Sequence, residues 1–412
     1  MKTVLIYTSP ARGHLYPMMD IALELKAQGY DVHVQTLAAE NDTVTAEGLH
    51  HIPISPEIES LPLEDYRESN PMAQFKSAFS TWLQRAPFEI EDLRESHARI
   101  RPDLLIIDVN TWGAAAFAEA QCEPWVMFMP YILPIASADT PAFGPGFAPP
   151  ANALHRLRDR VVDRLVRRAV RRQLDGLNTI RAELEVPVFT KQEDMYERPD
   201  LLLYRTAEPF DYPRKHWPEK ILPIGPGLWA PPAEAPDWMD ALPSPRILVS
   251  VSTEKQDDGA IIETALRALA DEQGSLIVTT AALDPEQFTA PHANVRITRF
   301  LSHAAIMDGI DLVVTHGGMG GTQRALAAGV PVCVIPCGRD QSETARRVDV
   351  SGAGSMLPLR KLNEENLRTA VWQAMARKAG AERIARAFAE AGGARRAVEA
   401  MTEMLHSHSL SS

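Results

Sequence analysis

At 412 residues the chain is longer than one ordinary domain of about 100–200 residues, and two domains already offer a cleft between them. A composition of 45% hydrophobic and 23% charged residues excludes a disordered chain and supplies apolar material for packed cores. The 42 Lys plus Arg against 54 Asp plus Glu leave a net charge of −12, which argues against a nucleic-acid backbone or an anionic membrane as a global partner. Any anion the chain binds needs a local device.

Three cysteines (Cys122, Cys333 and Cys337) are too few for a disulfide framework, and their odd number predicts a reducing compartment, the cytoplasm. The start, Met1 to Thr8, is too short for a signal-peptide core and reads as a β-strand. The longest uncharged apolar stretch, Pro124 to Ala138, is broken by Pro130 and Pro134 and falls short of the ~18 residues of a membrane helix, so no integral membrane association is expected.

In chain order, Val4–Tyr7 predicts a strand, Ser9–Gly13 a turn, and Pro17–Gln28 a helix with Met18, Ile21, Ala22 and Leu25 on one face. Asp31–Thr36 predicts the next strand, parallel to the first through a βαβ crossover. Leu104–Ile107 reads as a buried strand, Gly113–Ala120 as a helix and Val126–Met129 as a further strand. His155–Arg172 carries eight arginines interleaved with Leu154, Leu157, Val161, Leu165 and Ala169 at spacings of three and four, an amphipathic basic helix. It reads as a solvated face balanced by the acidic remainder of the chain; a membrane surface or an anionic partner is the alternative.

Residues Gly225–Pro245 are proline-rich and without period, a domain linker. A second alternating series follows: strands at Ile247–Val251, Leu276–Thr279, Val295–Ile297, Leu312–Thr315 and Val330–Ile335, with helices near Gly259–Asp271, Ser302–Met307 and Thr322–Ala328. The predicted fold is α/β, two Rossmann-like doubly wound parallel-sheet domains facing a cleft. Asn363–Leu405 reads as helical, and His406–Ser412 as a loose tail.

The strongest motif is Thr315-His316-Gly317-Gly318-Met319-Gly320-Gly321-Thr322, between a buried strand and a helix. Its glycines let the backbone approach a ligand, and the helix start supplies free N–H groups and a positive dipole end, which together suit a diphosphate. The spacing fits neither the dinucleotide fingerprint, since Gln323 occupies its third glycine position, nor a P-loop. Ser250, Ser252 and Thr253 end the first strand of the second domain, where hydroxyls reach phosphate oxygens or cap the next helix. In the first domain His14 follows strand one and Asp108 ends another strand; together they could form a proton-transfer pair, or each could simply serve a helix start.

These segments resemble family 1 glycosyltransferases of the GT-B fold, particularly bacterial enzymes that act on hydrophobic natural products. Gly13-His14-Leu15-Tyr16-Pro17 matches the family's G-H-x-x-P, whose His is the catalytic base. Pro102 to Asp108 matches the strand carrying its Asp partner, Val249 to Thr253 its phosphate turn, and Phe300 to Gln341 its donor box. The resemblance implies Phe300 and Leu301 near the base of the nucleotide, and His316, Gly318, Gly320, Gly321 and Thr322 at the diphosphate. It implies Asp340 and Gln341 at the sugar hydroxyls.

It also implies an acceptor domain over 1–224, a linker over 225–245, a donor domain over 246–389, and a C-terminal helix, about 390–412, returning onto the first domain. The implied reaction is an inverting, metal-independent transfer without cofactor, from a nucleoside diphosphate sugar to a hydrophobic small molecule. Three departures stand out: Arg324 where many uridine-diphosphate users carry Glu, Ser252 for Gly, and His303 for Gln. Arginine cannot accept hydrogen bonds from a ribose diol, so UDP and dTDP both remain open, with Arg324 favouring dTDP. Phe79, Trp82, Trp112, Tyr131 and Phe143 are predicted to line the acceptor pocket. A non-catalytic nucleotide-sugar-binding protein and a membrane-surface lipid glycosyltransferase are the alternative functions; monomer and homodimer are both open.

Overall fold

The structure, a computed structural model, describes residues 1–68, 70–252 and 258–411. The first half comprises β1 (Thr3–Tyr7), α1 (Arg12–Ala27), β2 (Asp31–Thr36), α2 (Asn41–Ala46), β3 (His50–Pro53), α3 (Pro56–Glu59) and α4 (Pro71–Ile100). It continues through β4 (Leu104–Asp108), α5 (Trp112–Ala120), β5 (Trp125–Met129), α6 (Ala153–Glu183), α7 (Asp194–Glu197), β6 (Leu201–Tyr204) and β7 (Ile221–Pro223). The strands form one parallel sheet in the order β3-β2-β1-β4-β5-β6-β7.

The second half comprises β8 (Arg246–Ser250), α8 (Gly259–Leu269), β9 (Ser275–Thr279), β10 (Val295–Thr298), α9 (His303–Ile306), β11 (Leu312–Thr315) and α10 (Met319–Ala327). β12 (Val332–Val334), α11 (Gln341–Val350), β13 (Gly354–Met356), α12 (Glu364–Met375), α13 (Lys378–Glu390) and α14 (Gly393–Ser411) complete it. Its sheet is also parallel, in the order β10-β9-β8-β11-β12-β13.

Strand residues alternate between faces, and both faces are apolar, as two-sided helix cover requires. In the first sheet Val4, Ile6, Leu104 and Ile106 pack with Leu15, Met18 and Met19 of α1, while Leu5, Tyr7, Leu105 and Ile107 pack with Phe79, Trp112 and Leu174 from α4, α5 and α6. In the second, Ile247, Val249 and Val314 face α8 and α12, and Leu248, Val313 and Val332 face α10, α11 and α13. Residues 393–411 return to the first half: Ala397, Val398, Met401 and Leu405 of α14 are buried among the α1 residues.

Four local features depart from the sequence reading. Helix α1 starts at Arg12, so Pro17 lies inside it and His14 sits in its first turn instead of a loop. The one backbone hydrogen bond Pro17 forfeits is tolerated because Leu15, Met18, Met19 and Ile21 bury around it. Helix α10 starts at Met319, which places Gly320 and Gly321 inside its first turn. The predicted loose tail is helical through Ser411. In α6 the stripe of Leu154, Leu157, Val161 and Leu165 is exposed, because the helix packs through Val170, Leu174 and Leu177 instead.

Candidate active site

In an open parallel sheet, ligands bind beyond the strands' carboxyl ends where the strand order reverses. In the first sheet that point lies between β1 and β4, and in the second between β8 and β11. His14 follows β1 and Asp108 ends β4; His316 follows β11 and Ser252 follows β8. Topology alone therefore sets each pair of predicted residues at a switch point.

His14 Nδ1 lies 2.7 Å from Asp108 Oδ2, with the carboxylate wholly buried and the imidazole 17% exposed. A carboxylate only accepts, so Nδ1 carries the proton and Nε2 is the basic nitrogen. The second carboxylate oxygen accepts from the Asn110 N–H at 2.8 Å. Asn110 Nδ2 stands 3.4 Å from His14 Nε2, and the Tyr131 hydroxyl donates to Asn110 Oδ1 at 2.8 Å. Tyr131, predicted to touch the acceptor, thus orients an amide beside the imidazole. Asn110 escaped the sequence reading; its signal was a position two residues beyond Asp108, where an aspartate commonly caps the following turn.

Across the cleft, burial pushes the His316 imidazole down to about 4, with the Ser250 backbone hydrogen bond opposing and the Arg339 charge assisting. His303 is likewise pushed to about 4, by burial and the Arg324 charge, and its Nε2 contacts Thr279 Oγ1 at 3.2 Å. Both rings are neutral at pH 7. Gly318 caps α10, and a Cβ added there would meet His316 Nε2 at 2.7 Å. A Cβ on Gly320 or Gly321 would meet nothing within 4 Å. Neither has a positive φ, so neither backbone conformation nor packing requires glycine at these two positions.

Other predicted donor residues take different places. Thr322 is fully buried, its N–H given to Gly318 O at 3.1 Å and its hydroxyl without a partner among the described residues. Gln341 Oε1 accepts from the Cys337 and Gly338 N–H groups at 2.8 and 3.0 Å and so shapes the turn that presents Asp340. Burial raises the Asp340 carboxyl above its ordinary range, opposed by the charges of Arg339 and of His14 from the facing half. Ser252 donates its N–H to Asp258 Oδ2 at 2.7 Å, Phe300 is 64% exposed, Leu301 packs on the second core, and Thr253 lies outside the described residues.

Arg324 donates to the backbone carbonyls of Leu228 and Trp229 at 2.9 and 3.1 Å. Of the predicted acceptor aromatics, Phe79 and Trp112 are buried against each other between α4 and α5, ring centroids 4.6 Å apart. Trp82 is half-buried beside them, with a buried indole N–H lacking a partner among the described residues. Phe143 packs on the core of the second half. There Glu343 of α11 accepts from the Gly144 and Gly146 N–H groups at 2.7 and 2.9 Å and pairs with the buried Arg347, which also holds Asp211. None of these clasps was anticipated.

Among the described residues, one group has metal-ligand spacing: Asp31, His33 and His50. Asp31 begins β2, so the group lies at the opposite end of the sheet from His14 and Asp108.

Residues 263–404 match the family model described as erythromycin biosynthesis protein CIII-like, C-terminal domain. Over 385 residues the chain is 32% identical to 4'-demethylrebeccamycin synthase of Lentzea aerocolonigenes, covering 89% of this chain and 90% of that one. The chain belongs to the family 1 glycosyltransferases. This glycosyltransferase superposes on the solved glycotransferase of kitacinnamycin with a TM-score of 0.77 at 22% identity over 98% of each chain. It superposes on the glycosyltransferase VinC, solved in complex with dTDP, with a TM-score of 0.68 at 21% identity over 98% of this chain and 99% of that one. Its two parallel sheets are those of the GT-B fold.

Proposed function

We propose that the glycosyltransferase moves a sugar, with inversion, from a nucleoside diphosphate to a hydroxyl of a hydrophobic small-molecule natural product. The observation that carries the reading is the His14–Asp108 pair at one switch point, opposite the glycine-lined start of α10 at the other. His14 Nε2 takes the proton of the acceptor hydroxyl as its oxygen forms a bond to the anomeric carbon. The bond from that carbon to the diphosphate breaks on the opposite face, and its electron pair leaves on the phosphate oxygen. Asp108 balances the imidazolium that forms.

The departing charge is met by the neutral His316 and by the first N–H groups of α10, which have no intrahelical partners. Gly320 and Gly321 each sacrifice about 1 kcal/mol of helix propensity, and the open space above them is what a diphosphate would fill. In this reading no metal ion is required.

The donor assigned is a dTDP-sugar, with UDP as the competitor. Arg324 is committed to backbone carbonyls and offers no acceptor to a 2′-hydroxyl, which thymidine diphosphate lacks. Calorimetric titration should give tighter binding of dTDP than of UDP; the reverse order removes this assignment. The transfer itself is tested by incubating the protein with a dTDP-sugar and a phenolic or macrolide acceptor. His14→Ala should abolish product and leave nucleotide affinity nearly unchanged. Tight nucleotide binding without product in the unaltered protein would point instead to a non-catalytic role.

A further inference from the structure

Helix α6 has two unlike faces. Val166, Val170, Leu174 and Leu177 pack into the first core. The opposite face carries Leu154, Leu157, Val161 and Leu165, exposed by 72, 56, 51 and 62% and spaced so that they fall on one stripe. They are four of the twelve large hydrophobics exposed among the described residues, a concentration that scatter does not produce.

The same helix concentrates cations in an acidic chain. Arg158 pairs with Asp159, and Arg167 with Asp163 and Glu193. Arg156, Arg160, Arg164, Arg168, Arg171 and Arg172 have no carboxylate partner among the described residues. Beside the helix's second half, Arg167, Arg168, Arg171 and Lys191 help line a cavity of about 270 Å³. Among the described residues no element covers the stripe or neutralises these six charges, so a partner that matches it is anionic and apolar at once.

A second copy of the chain fails that requirement, since it would set one row of arginines against another. A soluble acidic partner would satisfy the charges, but it would need a long apolar groove to take a convex ridge. A bilayer of anionic lipid provides an apolar layer directly beneath a layer of phosphates. Arginine stems can lie along such a boundary with their heads among the phosphates.

We propose that α6 docks peripherally on an anionic membrane surface, with Leu154, Leu157, Val161 and Leu165 entering the boundary between headgroups and acyl chains. Arg160, Arg164, Arg168 and Arg171, which run along one flank of that stripe, meet the lipid phosphates there. This docking is independent of the chemistry assigned to His14, and it is compatible with a chain in which no helix of the described residues is long and apolar enough to cross a membrane.

The test is sedimentation of the full chain with phosphatidylcholine vesicles, with and without phosphatidylglycerol. The protein should pellet with the anionic vesicles at low salt, be released as salt rises, and remain in the supernatant with phosphatidylcholine alone. Leu157→Asp combined with Leu165→Asp, and separately Arg160→Glu combined with Arg164→Glu, should each lower partitioning at least about tenfold, since each arginine near an anionic surface contributes about fivefold. These sites are exposed, so melting temperature and sugar transfer should not change. Failure to pellet at low salt, or unaltered pelleting of the Leu157/Leu165 variant, overturns the proposal. So does equal partitioning onto phosphatidylcholine alone, or binding of an acidic amphipathic peptide in place of vesicles.

Discussion

Arg339, in the second half of the chain, holds both carboxylate oxygens of Asp65 in the first, Nε to Oδ2 at 2.8 Å and Nη2 to Oδ1 at 2.7 Å. Asp65 is almost fully buried, and Arg339 adjoins Asp340, whose carboxyl shares the cleft with His14. The two-pronged contact therefore sets the distance between the proposed base and the turn proposed to hold the sugar. Asp65→Ala should cost about 1–3 kcal/mol of stability and raise the donor KM several-fold, read from thermal melts and initial rates. An unchanged donor KM would detach the clasp from donor binding.

Asp108→Asn keeps the shape of its side chain but lets an amide face Nδ1, which favours the wrong tautomer. We expect kcat to fall by about 10²–10⁴-fold with little change in acceptor KM. Tyr131→Phe removes one hydrogen bond from Asn110 and should lower kcat by about tenfold or less. A Tyr131→Phe loss equal to that of Asp108→Asn would give the tyrosine a more direct part.

The glycines of the α10 entry divide by what they are for. Gly321→Ala adds a methyl to open space in a helix and should stabilise the fold by about 0.5–1 kcal/mol while weakening dTDP binding. Gly317 has φ 101°, and a Cβ there would come within 2.7 Å of Val334 Cγ1, so Gly317→Ala should destabilise by more than about 1 kcal/mol. Melting temperature and calorimetric affinity, measured on both variants, should move in opposite directions for Gly321 alone.

Glu89 of α4 is wholly buried, with one oxygen accepting the Gly113 N–H at 2.8 Å and the other unpartnered among the described residues. Burial pushes its carboxyl up to about 8. The folded state then retains a proton that the unfolded chain loses near its ordinary 4.5. This stabilisation is complete below that value and is lost as pH rises through about 8. Glu89→Gln keeps the acceptor for Gly113 without the titration, so its melting temperature should fall less than that of the unaltered protein between about pH 5 and pH 8. Parallel falls would show that Glu89 does not titrate in this range.

Where patterns were strong, the sequence was readable: Asp31–Thr36 and Leu312–Thr315 are strands over those same residues, and the βα alternation pointed to two parallel sheets, whose strand order, and with it the two switch points, is visible only in the structure. β3 and β13 were missed because His-His-Ile-Pro and Gly-Ser-Met show no alternation and hold a single strong β-former, Ile52; neighbouring strands impose their conformation. The proposed catalytic pair was legible from position at two strand ends. Asp65–Arg339 and Glu343–Gly146 were not, since contacts between residues this far apart leave no local spacing to read. In α6 the apolar period was legible and its direction was not, because Val166 and Val170 offer the sheet a competing apolar face.

The return of α14 onto α1 orders events during synthesis. Leu15, Met18 and Met19 emerge from the ribosome early, yet the side chains that share their cluster, Ala397 to Leu405, are made only after the whole second sheet. A nascent first sheet must wait with one flank uncovered, a window in which a chaperone or a wrong partner can bind. A separately expressed piece ending at residue 245 would keep that flank bare and be prone to self-association.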